Sequence, residues 1–167
     1  MSSWWNRPII CFVNKINFES RILDLGYIIP EAPAPQGSYL PCRVVGNLAF
    51  MSGVLPMEAG VISHSGIVGV DVTLDEARAA ARICIFNLLS NLKAEIGDLN
   101  RIEAIVRLGG FVASAADFGD HPVVINAASD LLVEIFGDVG RHSRAAVGVA
   151  SLPRNACVEI DAIISFI

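Results

Sequence analysis

"GRHSRAAVGVASLPRNACVEIDAI", residues 140–163, is the stretch whose reading decides the fold. Two runs rich in β-branched and small residues, "RAAVGVA" and "CVEIDAI", flank Leu152-Pro153-Arg154-Asn155, where proline and asparagine mark a turn. The spacing predicts a terminal β-hairpin from about Arg144 to Ile167. Alternation puts Ala145, Val147 and Val149 on one face of the first run, and Arg144, Ala146, Gly148 and Ala150 on the other. An arginine followed by very small side chains leaves space beside a guanidinium whose planar fork matches a carboxylate bidentately. The same arginine would serve equally in an ion pair between subunits. Glu159 lies between Val158 and Ile160 and points away from their face, toward solvent or toward a site. In such a hairpin it falls opposite Val147 or Gly148, about 10–13 Å from Arg144 at ~3.3 Å per residue. The two groups then meet only around a ligand or across a subunit boundary.

Working outward, "DHPVVINAASDLLVEIFG" predicts a helix, with Pro122 in its first turn, Gly137 at its end, and Ile125, Ala128, Leu132 and Ile135 as its buried stripe. "RIEAIVRLGGFVAS" before it reads as a strand in which Gly109-Gly110 marks a bulge or a close approach. Earlier still, "TLDEARAAARICIFNLLSNLKAEIGDL" predicts the clearest helix. Thr73 and Glu76 form a capping box, and Gly97 is the stop. Ala77, Ala81, Cys84, Leu88 and Leu92 keep helical spacing, widened by Ile85, Leu89 and Ile96. "MEAGVISHSGIVGVD" reads as a glycine-punctuated loop, and "CRVVGNLAFMSG" as two strands turning at Gly46-Asn47. "PEAPAPQGS", residues 30–38, is an extended proline-rich segment. Residues 1–17 read as an N-terminal extension, dispensable for the core, ahead of one domain over 18–167. The order strand, strand, helix, strand, helix, strand, strand predicts an α+β fold: a single mixed sheet with two helices on one face.

Composition narrows the function classes. Hydrophobic residues make up 53% and charged residues 17%, against roughly 25% charged in an ordinary soluble domain. No apolar run reaches the ~18 residues of a membrane span. Contact between subunits is the economical way to hide the excess, so an oligomer is expected. A net charge of −5 argues against nucleic-acid binding. Cys11, Cys42, Cys84 and Cys157 are scattered without a CxxC pair, which fits buried thiols in a reducing cytoplasm. His64, His121 and His142 lack metal-ligand spacing. "MSGV" lacks the serine-hydrolase elbow, and "GIVG" is no phosphate loop.

"SRAAVGVASLPRNACVEIDAI" resembles the signature of the YjgF/Rid family, the reactive-intermediate (enamine/imine) deaminases, also labelled endoribonuclease L-PSP. The shared pattern is an arginine, a β run, Leu-Pro, then an acidic residue in an alternating strand. "GSYLP", "NLAFMSGVLP" and "INAASDLLVEIFG" extend the likeness over about residues 20–167. The longer proline-rich lead and "FGDVGRHSR" resemble a divergent YjgF/chorismate mutase-like endoribonuclease subgroup. The resemblance implies a chorismate mutase-like fold, a barrel-like homotrimer with ligand clefts between subunits, and hydrolysis of 2-imino or enamine acids without a cofactor or metal. It assigns Arg144 to the substrate carboxylate and Glu159 to the attacking water. Tyr39 and Ser52 would line the cleft, with Asn126 and Ala146 also on the substrate side. The chain departs from the pattern at Ala146, where the family carries cysteine, and at Ser38, where it carries proline. Two other functions remain open on the sequence: a trimeric carboxylate-binding protein without turnover, and a ribonuclease, against which the acidic balance counts.

Overall fold

A computed structural model describes residues 17–32 and 38–167. The expected extension, apart from Asn17, and the middle of the proline-rich segment lie outside the described residues. The chain forms helix α1 (Phe18–Asp24), strands β1 (Cys42–Val45), β2 (Leu48–Val54), β3 (Met57–Glu58) and β4 (Val61–Ile62), and helix α2 (Leu74–Ile96). Strand β5 (Ile102–Ala113), helix α3 (His121–Phe136) and strands β6 (Ser143–Val149) and β7 (Val158–Phe166) complete it. Five strands make one mixed sheet in the order β1-β2-β7-β5-β6, and β3-β4 is a separate two-stranded ribbon. The fold is therefore α+β as predicted, with a third helix.

The two long helices arise where the local chemistry puts them. Both halves of the Thr73–Glu76 capping box form, and Gly97 closes α2 with a positive φ of 84°. Ala77, Ala81, Cys84, Ile85, Leu88, Leu89, Leu92 and Ile96 are all buried. Pro122 opens α3, whose Ile125, Ala128, Leu132 and Ile135 are buried too. Gly110 admits α3 to the sheet, since a Cβ there would come within 2.6 Å of Ile125. Val158, Ile160, Ala162 and Ile164 of β7 face the helices and are buried, whereas Glu159, Asp161, Ile163 and Ser165 on the opposite face are partly exposed. Phe50, at 40% exposure, lies across from Ile163, and Val147, at 45%, is level with Glu159 on the same uncovered face.

Helix α1 is an element that the sequence reading did not resolve. Asn17 caps it by accepting from the Ser20 amide, Phe18 meets Phe136 edge-on at 4.9 Å, and Glu19 bridges to Lys93 at 2.8 Å. The β3-β4 ribbon likewise replaces an expected loop, turning at Ala59 and Gly60, both with positive φ.

One expectation is overturned. β6 and β7 are not a hairpin: β5 lies between them, parallel to β6 and antiparallel to β7. The connection at 152–155 therefore crosses over β5 instead of folding back. The reason is α3, since strand-helix-strand is the unit that returns a chain parallel to its first strand.

Candidate active site

The β5 register fixes where each predicted site residue lies. Arg144 is paired with Leu108 and, across β5, level with Ala162, both buried beneath the helices. Directly paired residues share a face of the sheet, so Arg144 points to the helix side. There its Nη1 donates to Asn126 Oδ1 at 2.8 Å and to Ser129 Oγ at 2.9 Å, both on α3. Ala146 follows on the same face, partly buried against the core. His121 covers the next small residue, Gly148, where a Cβ would meet the imidazole.

His142 extends this cluster. Its Nδ1 lies 2.7 Å from the Gly140 carbonyl and its Nε2 lies 3.0 Å from Ser129 Oγ. A carbonyl only accepts, so Nδ1 carries the proton and neutral Nε2 accepts from the serine hydroxyl. The chain of donors runs from Arg144 through Ser129 to His142. Burial, and secondarily the Arg144 charge, hold the His142 pKa below its ordinary value despite the opposing carbonyl bond. Ser129 was not singled out from sequence, and His142 was weighed there only as a metal ligand. The signal was present in "GRHSR", where the histidine two residues before the arginine lies next to it in space.

Glu159 occupies the other face. It pairs with Phe111 and is level with Val147, not bonded beside it. The Cα of Arg144 is thus three residues along and two strands across from it, about 14 Å away on strand spacings of ~3.3 and ~4.8 Å. The predicted separation of 10–13 Å within one hairpin is corrected accordingly. The side chains diverge to opposite faces, so a single copy does not bring them together.

What lies beside Glu159 is a pocket. β2 inserts an extra residue against β7 between Met51 and Val54, and such a bulge re-aims the side chains within it. Ser52 and Gly53 sit in it, and the Glu159 carboxyl lies directly over Gly53, in the space a Cβ would fill. Gly53 and Ser52, together with Tyr39, Asn87 and Arg154, line a pocket of about 510 Å³. Ser52 Oγ donates to the Leu40 carbonyl at 2.6 Å, leaving its lone pairs free to accept. Burial first, and the neighbouring Asp161 second, push the Glu159 pKa above the usual carboxylate value. Asp161 itself is paired with Arg107 at 2.8 Å.

The predicted residues thus form two groups: Arg144, Asn126 and Ala146 at the β6 edge, and Tyr39 and Ser52 on the pocket wall with Glu159 over the adjoining Gly53. The three histidines are dispersed, each ring bonded to a serine: His64 to Ser63, His121 to Ser114 and His142 to Ser129. Among the described residues, no three His, Cys, Asp or Glu side chains converge as a metal site. Cys42, Cys84 and Cys157 are free and buried. No helix among the described residues is long and apolar enough to cross a membrane.

Comparison with known proteins follows the same lines. A family model described as "YjgF/chorismate mutase-like, putative endoribonuclease" matches residues 19–163. Protein TCP17 of Trypanosoma cruzi is 41% identical, over 84% of this chain and 88% of that protein. A 2-iminobutanoate/2-iminopropanoate deaminase of Dermatophagoides farinae is 31% identical over 81% of this chain and 91% of its own length. A crystal structure of a protein of unknown function from Agrobacterium tumefaciens superposes with a TM-score of 0.84 at 46% identity, covering 90% of this chain and 92% of that one. On the extent of the family match and the identity to these relatives, the chain belongs to the YjgF/chorismate mutase-like family.

Proposed function

We propose that this protein hydrolyses small 2-imino or enamine acids to 2-oxo acids and ammonia, in clefts between the subunits of a homotrimer. The observation that carries the reading is the Glu159 carboxyl, raised in pKa by burial and packed over Gly53, a residue that lines a pocket together with Tyr39 and Ser52. The deaminase name borne by the Dermatophagoides relative supports it.

The chemistry asks little of the protein. The imine carbon is already electrophilic, and water adds to it while Glu159 accepts a proton. The protonated carboxyl gives that proton to the nitrogen, forming the carbinolamine, and then relays the hydroxyl proton to the same nitrogen as the C–N bond breaks, so R–C(=NH)–COO⁻ and water give R–CO–COO⁻ and NH₃. A base with a raised pKa suits both roles better than an ordinary carboxylate does. The free lone pairs of Ser52 suit an imine N–H. Arg144 holds the substrate carboxylate, with its guanidinium steadied by Asn126 and Ser129 and the small Ala146 beside it. The reaction is redox-neutral and calls for no cofactor. Because Arg144 and Glu159 face opposite sides of one sheet, the reading needs a cleft in which one copy supplies the arginine and its neighbour the glutamate. The uncovered face with Phe50 and Val147 offers the apolar surface for such an assembly. The buried free thiols fit the cytoplasm as the place of action.

Ammonia release from imines generated in situ by an amino-acid oxidase tests the activity. Acceleration over the uncatalysed rate is expected, and a rate equal to it overturns the reading. Light scattering tests the assembly, for which a 17.8 kDa species at micromolar concentration is the overturning result.

A further inference from the structure

We infer that Arg154 is a second anchor in the same pocket and that it takes an acidic group at the far end of the substrate's side chain, so that imines of dicarboxylic amino acids are the preferred class. This rests on the deaminase reading for the reaction, though not for the binding.

Three observations carry it. First, Arg154 lines the pocket together with Tyr39, Ser52 and Gly53, and the Glu159 carboxyl lies over the last of these. Second, its guanidinium is exposed and lacks a carboxylate partner among the described residues. Nη1 reaches the Met57 thioether at 3.5 Å and Nη2 the Gly60 carbonyl at 3.3 Å, and no carboxylate of the described residues comes within ion-pair distance. Glu31 also lines the pocket but makes no pair with it. Arg107, by contrast, has Asp161 at 2.8 Å. A guanidinium with only a thioether and a long carbonyl contact keeps most of its planar fork available for a carboxylate. Third, the backbone holds it there at a cost. Arg154 and Asn155 are consecutive left-handed residues, with φ of 57° and 59°, a conformation uncommon for side chains other than glycine. The Asn155 carbonyl is tied to the Gly66 amide at 2.8 Å, which fixes the turn over the β3-β4 ribbon.

Size agrees. A pocket of about 510 Å³ lies in the range of roughly 300–1,000 Å³ that takes drug-sized ligands. A short imino acid leaves most of it empty, whereas a longer side chain ending in a carboxylate fills more of it. The α-carboxylate and the distal carboxylate then have separate arginines, Arg144 and Arg154.

Calorimetry with the product acids 2-oxoglutarate and 2-oxobutanoate tests this without requiring turnover. The wild-type protein is expected to bind 2-oxoglutarate more tightly. Arg154→Gln is expected to weaken 2-oxoglutarate about ten- to hundredfold more than 2-oxobutanoate, the loss of one charge-assisted contact. Arg154→Asn, a residue that tolerates the left-handed backbone, should give the same pattern if Arg154→Gln folds poorly. Equal wild-type affinities, or an equal effect on both acids, overturns the inference. A binding preference that stands while no imine is hydrolysed keeps the second anchor and removes the deaminase reading. Deamination without any preference for the acidic side chain does the reverse.

Discussion

Arg144 and Glu159 belong to opposite faces of one sheet: the first is level with buried Ala162 and bonded to α3, the second is level with Val147 on the uncovered side. If both act on one substrate, the active unit is a pair of chains, and defects in the two should complement each other. In a cyclic trimer every mixed assembly of Arg144→Ala and Glu159→Gln chains contains one site with both groups intact, so random mixing restores about a quarter of the sites. Co-expression is expected to recover about that fraction of wild-type ammonia release. No recovery in verified mixed trimers would show that the groups do not share a site.

The same two residues show how far the sequence could be read. α2 was legible in full because Thr73, Glu76 and Gly97 are local signals and its stripe is long. The faces of Arg144 and Glu159 also followed from alternation, a property of each strand alone. What failed was adjacency. Leu-Pro-Arg-Asn between two apolar runs reads identically whether the runs pair or a third strand enters between them. The counter-signal was the α3 crossover, which makes β5 and β6 parallel neighbours and leaves β7 the other side of β5. Ser129 and Arg154 became visible as site residues only through contacts made across the fold, whereas His142 stood two residues from Arg144 in the sequence.

The Arg144 fork should be separable from its support. Arg144→Lys keeps the charge but cannot reproduce two parallel bonds, and is expected to weaken 2-oxobutanoate by about one to two decades. Ser129→Ala removes one of the two side chains that steady the guanidinium and leaves the fork itself, so about tenfold or less is expected. Calorimetry on both variants checks the order. A larger loss in Ser129→Ala would show that the serine touches the ligand itself.

Two glycines should respond in opposite ways to the same added methyl. At Gly53 the methyl displaces the end of the flexible Glu159 side chain, so Gly53→Ala is expected to fold normally and lose turnover. At Gly110 it meets Ile125 at 2.6 Å in the packed α3 contact, so Gly110→Ala should destabilise by about 1–3 kcal/mol, the usual cost of overpacking. Denaturant titration beside the ammonia assay distinguishes them. Full activity in Gly53→Ala would mean that the observed Glu159 position is not the working one.

The raised pKa of Glu159 makes a joint prediction for activity and stability. As a base it works only when ionised, so kcat/KM should rise with pH through the raised pKa. Asp161 is the second cause of that shift. Asp161→Asn removes a like charge and also frees the Arg107 cation paired with it. Both effects favour the carboxylate, so the acid limb of the profile should move to lower pH. Arg107→Gln, which removes the cation, should move it to higher pH. The stability sign is opposite to that of a paired carboxylate. The folded state holds the proton more tightly than the unfolded one, so the Glu159 contribution is most favourable at low pH. It declines as pH rises from the ordinary glutamate range through the raised folded pKa. At neutral pH Glu159→Gln should therefore raise Tm while it abolishes most turnover and spares binding of 2-oxobutanoate. Thermal melts at acid and neutral pH measure the effect. A Tm gain that persists undiminished at low pH would trace it to packing instead of ionisation.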